Sequence, residues 1–232
     1  VKSHALPWSV IIPAMVVPLL GSLVYFVWFA EGAVGQAAYT LTKVFTLVYP
    51  FIFLRWIGAK GLVPAAGTKK SSILWGLGSG LTICAVGVLA MLSPIGSMIR
   101  DSAAAIADRA DGLGFDDHYL LFAVFISLIH SGLEEFYWRW FVYGQLRERL
   151  AGRWAHVLAA LSFAAHHLVV TLQFFPAPLA YFLAGCVAIG GLVWSWMYEK
   201  HGGLLGCWIS HLCVDVMLMA VGYQLIQSTA AV

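Results

Sequence analysis

Long apolar runs recur along the chain at the spacing of bilayer crossings, each of roughly 20 residues. They fall at 7–30, 37–57, 72–98, 118–146, 154–175, 178–198 and 204–227. The connections between them are short, and several carry chain breakers: Glu31-Gly32, Lys60-Gly61 with Pro64, Pro176 with Pro178, and His201-Gly202-Gly203. One longer connection, 99–117, reads as an amphipathic, acidic helix lying at an interface. There is no internal repeat. The pattern predicts an all-α polytopic bundle of about seven transmembrane helices, forming a single domain over 1–232.

Composition agrees with the pattern. Residues of hydrophobic type make up 61% of the chain and charged residues 10%, whereas soluble domains carry about 25% charged residues. Mean hydropathy is +0.86. A water-soluble globule would lack the polar surface to cover itself. The first run, from Leu6 to Ala30, is too long for a signal-peptide core and reads as a retained span. Lys2, Arg55, Lys60, Lys69, Lys70, Arg147, Arg149, Arg153 and Lys200 all fall on one side if the spans alternate, with Arg100 and Arg109 opposite. Basic residues accumulate on cytoplasmic loops, so the N-terminus is expected in the cytoplasm and the C-terminus outside. Trp56, Trp75, Trp154 and Trp196 sit near the proposed inner boundaries, where indoles prefer to lie. The net charge of +2 gives no support to a nucleic-acid partner, and Cys84, Cys186, Cys207 and Cys213, all within apolar runs, read as packing residues.

Ionisable residues inside the spans are few: Lys43, His130, Glu134, Glu135, Arg139, His166, His167, His211 and Asp215. Each charge at a helix centre costs roughly 2.5–3.5 kcal/mol on insertion scales, so each needs a partner or a function. Adjacent glutamates point about 100° apart on a helix, while Glu135 and Arg139 share a face. Glu135 is therefore the expected salt-bridge partner of Arg139, which leaves Glu134 free to hold a proton or activate water. His130 lies one turn before Glu134, where it could tune that carboxylate or bond to backbone. His211 and Asp215 form another i, i+4 pair, in which the carboxylate fixes one imidazole nitrogen and the other faces a substrate. Counted from the cytoplasmic ends, Glu134, His167, Asp215 and His211 lie roughly 18, 20, 16 and 10 Å deep. Three spans thus bring polar groups to overlapping depths.

At these residues the sequence resembles the CPBP family of intramembrane proteases, which includes the CAAX prenyl endopeptidase and many bacterial relatives. Its three motifs, Glu-Glu-x-x-x-Arg, Phe-x-x-x-His and His-x-x-x-Asn/Asp, appear in order as Glu134-Glu135 with Arg139, Phe163 with His167, and His211 with Asp215. The resemblance implies an endopeptidase of the glutamic type in a bacterial or archaeal cell membrane, acting on a membrane-associated or lipid-modified protein or peptide. It implies Glu134 and His167 as activators of water, Glu135 and Arg139 as their support, and His211 with Asp215 on the oxyanion side. An ionised Asp215 cannot donate a hydrogen bond as Asn would, so the donor role is assigned to His211, with Asp215 orienting it unless protonated. The tandem leaves His166 as a supporting residue beside His167.

The expected partners are membrane lipids and that substrate, and no cofactor is required. Two other readings stay open. Glu134, His167 and His211 could form a three-ligand zinc site with one open position, or the same residues could serve a proton-coupled carrier or a non-catalytic binding or immunity protein. Gly76-Leu-Gly78-Ser79-Gly80 lies in a span and reads as close helix packing rather than phosphate binding.

Overall fold

Apolar runs of this length satisfy their backbone polar groups within lipid by forming helices. A computed structural model describes residues 6–30, 32–57, 69–112, 114 and 118–230. Among them there are nine helices and no strand. They are α1 (Trp8–Trp28), α2 (Ala33–Ile57), α3 (Lys69–Met91), α4 (Pro94–Asp101) and α5 (Ala103–Gly112). The remainder are α6 (Tyr119–Arg147), α7 (Gly152–Phe174), α8 (Ala177–His201) and α9 (Leu204–Ala230). Glu31, Lys60-Gly61, Pro64, Lys2 and the Asp116-Asp117 end of the expected interfacial segment lie outside the described residues.

Among the described residues six helices, α1, α3, α6, α7, α8 and α9, are long and apolar enough to cross a membrane. The expected second span, 37–57, falls on α2, a helix of 25 residues. Leu81, Val86 and Leu89 on α3, Leu120 and Leu121 on α6, and Ile189 on α8 are exposed, as a lipid-facing belt requires. The chain is an integral membrane protein. The expected third span, 72–98, ends early, at Met91. Ser93 takes the N-cap position of α4, its Oγ accepting the Ile95 N–H at 3.2 Å, and Pro94 opens the new helix. The expected interfacial segment then contributes α5, pinned to α7 by Arg109 Nη2 donating to Gln173 Oε1 at 2.7 Å.

Small residues let helices approach closely. Gly76 and Gly80 of α3 face Gly206, Ser210 and Cys213 of α9, and a Cβ on Gly76 would stand 2.9 Å from the Gly206 Cα. Gly78, on the far side, meets nothing. The glycine run is therefore a packing stripe. Of the cysteines, Cys207 is buried, while Cys186 faces outward and does not pack. Helices α7 and α8 form an antiparallel pair, and α8 ends at Gly202, whose φ of 67° lies in the left-handed region suited to glycine.

Helix α6 departs from regular α geometry. It is π-helical over Phe125–His130 and Phe136–Tyr143, on either side of the α-helical turn Ser131–Glu135. Widened turns of this kind concentrate at functional sites. The second of them carries the core of the bundle, in which Tyr137, Phe141 and Tyr143 are buried with Ile11, Phe163 and Met197. It also holds α1 in place. Tyr137 donates to the Ala14 carbonyl at 2.7 Å, and Gln145 Oε1 accepts the Leu6 N–H at 2.8 Å.

Candidate active site

Glu134 and Glu135 stand at the end of the α-helical turn of α6, just before the π-helical stretch. Both are buried, Glu135 completely. As the spacing predicts, Glu135 pairs with Arg139, its Oε2 lying 3.2 Å from Nε. The guanidinium is enclosed by aromatic faces, with Cζ 4.3 Å from the centre of the Phe163 ring and 4.9 Å from that of Trp194. Its two amino nitrogens have no hydrogen-bond partner among the described residues, and the ring quadrupoles supply the remaining compensation for its charge.

Glu135 has a second task that helix periodicity does not reveal. Its Oε1 lies 2.7 Å from His211 Nδ1, so the brace of Glu134's neighbourhood also holds the α9 histidine. The ring of His211 stacks on Trp194 at 4.2 Å and 16°, and Trp194 in turn donates to Ser210 Oγ at 2.9 Å. Asp215 lies elsewhere than expected. Its Oδ1 is 3.7 Å from Nε2, the nitrogen that faces Glu134, so orientation of the ring through Nδ1 comes from Glu135.

Four histidines surround Glu134. His130 Nε2 lies 3.4 Å and His166 Nε2 3.5 Å from Oε1. His167 Nε2 lies 3.9 Å and His211 Nε2 3.8 Å from Oε2. The two carboxylate oxygens therefore have separate neighbourhoods. His166 stacks on Trp138 at 5.4 Å, nearly parallel at 6°, and the Phe163 ring lies 4.5 Å from that of His167. His167 Nδ1 is 2.9 Å from the Phe163 carbonyl oxygen. A carbonyl can only accept, so Nδ1 carries the proton, and when the ring is neutral the lone pair of Nε2 faces Glu134.

All nine residues singled out from the sequence, His130, Glu134, Glu135, Arg139, Phe163, His166, His167, His211 and Asp215, thus meet in one place. Trp194 and Trp138 were not singled out. Aromatic residues are frequent in these spans, so neither Trp138, although it lies inside the Glu-Glu-x-x-x-Arg stretch, nor Trp194 stands out by residue type. The donor atoms that lie within 4.8 Å of one another belong to Glu134, His166 and His167 rather than to Glu134, His167 and His211. Two imidazoles and a carboxylate are a chemically suitable donor set for zinc.

A metal-free arrangement of these residues can also act on a carbonyl, since it places paired acceptors beside a histidine that a buried carboxylate braces. No curated protein and no solved structure matches the chain. The family model of the type II CAAX prenyl endopeptidase Rce1-like proteins matches residues 116–217, the stretch that supplies every residue of this site. Over that stretch, somewhat less than half of the chain, the protein is similar to the Rce1-like CAAX-type endopeptidases.

Proposed function

We propose that this protein hydrolyses a peptide bond of a membrane-associated or lipid-modified substrate, using a water activated by Glu134 and His167. The observation that carries the reading is the gap of 3.9 Å between Glu134 Oε2 and His167 Nε2. Both atoms are acceptors in the tautomer that the Phe163 carbonyl favours. Two facing acceptors beyond direct contact suit one water that donates a hydrogen to each. In this reading the water oxygen attacks the scissile carbonyl carbon as Glu134 takes its proton. The tetrahedral intermediate then collapses, the C–N bond breaks, and Glu134 returns the proton to the leaving amine.

The oxyanion side rests on His211. As an imidazolium it donates Nδ1–H to Glu135 and keeps Nε2–H for the developing negative charge. Asp215, beside the same nitrogen, serves as a second donor when it carries a proton. Support for Glu134 as base comes from the division of its oxygens, since His130 and His166 approach Oε1 and leave Oε2 to the reacting side.

The test is cleavage of a lipidated peptide by the purified full chain in lipid nanodiscs. Glu134→Gln should lower turnover by about 10²–10⁴-fold while peptide binding is retained, and full activity in that variant would exclude the glutamate mechanism. A zinc-assisted form of the same hydrolysis is favoured by one observation, the Glu134, His166 and His167 donor set. Activity that persists under strong chelation excludes it.

A further inference from the structure

Trp194 of α8 touches two successive residues of α9 in two different ways. Its Nε1 donates to Ser210 Oγ at 2.9 Å, and its ring lies 4.2 Å from that of His211 at 16°. Neighbouring side chains on a helix point about 100° apart. Ser210 therefore holds one edge of the indole while His211 covers its face, and a single turn of α9 fixes the ring from two directions. The Arg139 guanidinium, 4.9 Å from the ring centre, adds a third contact. Trp194 and Ser210 are both buried, so bulk water does not compete for the bond between them.

The hydrogen bonding continues beyond Ser210. An indole N–H can only donate, so Ser210 accepts it and still has its own proton to place. Ser79 Oγ of α3 lies 3.0 Å away, and Ser79 has the Trp75 carbonyl at 2.7 Å for its proton. Three bonds thus run one way, from Trp194 through Ser210 and Ser79 to the backbone of α3, and each hydroxyl accepts once and donates once. Chains ordered in this way polarise and strengthen their members. The close approach of α3 depends on glycine, since a Cβ on Gly80 would stand 3.1 Å from the Ser210 Cα. Ser79 lies outside residues 116–217, the stretch that the family model matches.

Taking the hydrolase reading as its basis, we infer that Ser79, Ser210 and Trp194 form a positioning chain that sets the plane of the His211 ring, and with it the direction in which Nε2 meets the developing oxyanion. Glu135, 2.7 Å from Nδ1, anchors one edge of that ring. A contact on the face is what fixes its plane, and the indole supplies that contact only if its own orientation is fixed. None of the three residues touches the water or the scissile carbonyl, and they act through His211. Helix α3 thereby belongs to the framework of the active site.

The experiment uses the full chain in nanodiscs with isotopically labelled histidine. It reads turnover of the lipidated peptide beside the magnetic resonance signals of the His211 ring, identified by their loss in His211→Gln. Ser210→Ala and Trp194→Phe remove one bond from opposite ends, and Phe keeps an aromatic face. Each should move the His211 signals and lower kcat about tenfold with KM unchanged within about twofold, as for a displaced transition-state contact. The double variant should lose no more than the larger single loss, because a shared bond is lost only once. Ser79→Ala should act in the same sense, lowering kcat about threefold, as the outer member of the chain. Additive losses in the double variant overturn the positioning chain, as does a fall in kcat with the His211 signals unmoved. Full activity in Ser210→Ala also overturns it and leaves the hydrolase reading intact. Signals that move in both single variants of a chain whose wild type cleaves nothing sink the hydrolase reading and keep the link from Ser210 to His211.

Discussion

Glu134 and Glu199 both face histidines, yet their contacts are of different kinds. Glu199 accepts the Tyr143 hydroxyl at 2.5 Å and lies 2.8 Å from His156 Nε2 on the same oxygen, while His156 Nδ1 is 2.9 Å from Ser195 Oγ. These are short bonds between groups that satisfy one another, and they tie α6, α7 and α8 together. The Glu134 carboxylate has four imidazoles around it at 3.4 to 3.9 Å, more neighbours at greater distance. Saturated short contacts hold helices in place. Contacts just beyond bonding distance leave a carboxylate able to exchange partners, as a proton carrier must.

The sharpest way to break the comparison is to neutralise each carboxylate in turn. Glu134→Gln should lower kcat by about 10²–10⁴-fold, the range of a lost general base, with little change in thermal stability. Glu199→Gln should do the reverse, leaving kcat within a few-fold while stability falls by about 1 kcal/mol, as for a lost hydrogen bond. Turnover in nanodiscs and thermal unfolding in detergent read the two effects separately. Equal losses of activity in both variants would remove the distinction.

Next in size is the brace under Glu134. Arg139→Met strips the counter-charge from a completely buried Glu135 and should destabilise the protein by about 3–5 kcal/mol. The double variant Glu135→Gln with Arg139→Met removes both charges and should recover much of that stability. It should stay inactive, because His211 has lost the carboxylate on its Nδ1. Recovery of both stability and activity would reduce Glu135 to a structural counter-ion.

That pair of outcomes marks where sequence reasoning reaches and where it stops. The Glu135–Arg139 bridge is written into i, i+4 spacing, because two residues one turn apart share a face whatever surrounds them. The bond from Glu135 to His211 joins positions 76 residues apart and depends on how α6 and α9 meet. The same limit explains Asp215. Spacing places it beside His211 but does not say which ring nitrogen it approaches, and packing turns Nδ1 to Glu135 instead. Hydropathy found the apolar runs but not the break at Ser93, where a cap and a following proline end one helix and begin another within an apolar stretch. The π-helical turns of α6 are likewise invisible to a reading built on 3.6 residues per turn.

The tandem histidines give a smaller contrast within the site itself. His167 faces Glu134 Oε2, the oxygen shared with His211, and His166 faces Oε1 with its ring stacked on Trp138. His167→Ala should therefore cost about 10²-fold or more in kcat, and His166→Ala roughly tenfold, through loss of positioning rather than of a proton carrier. The reverse order would move the reacting water to the Oε1 side, between Glu134 and His166.

The mildest change expected within the site is the conservative one, Asp215→Asn, and it bears on how the oxyanion is held. The side chain lies 3.7 Å from His211 Nε2, on the nitrogen that also faces Glu134. An ionised Asp215 there would oppose a developing oxyanion, whereas the protonated acid can donate to it. Asn donates in the same place at every pH. Asp215→Asn should thus retain activity within about tenfold of the parent chain, and Asp215→Ala should lose about 10²–10³-fold, as for a missing oxyanion donor. The pH profile separates the two roles, because a donor acid requires its proton and loses activity as pH rises, while the Asn variant lacks that limb. Were Asn and Ala equally damaging, Asp215 would act as a carboxylate on His211, and the oxyanion would rest on the imidazolium alone.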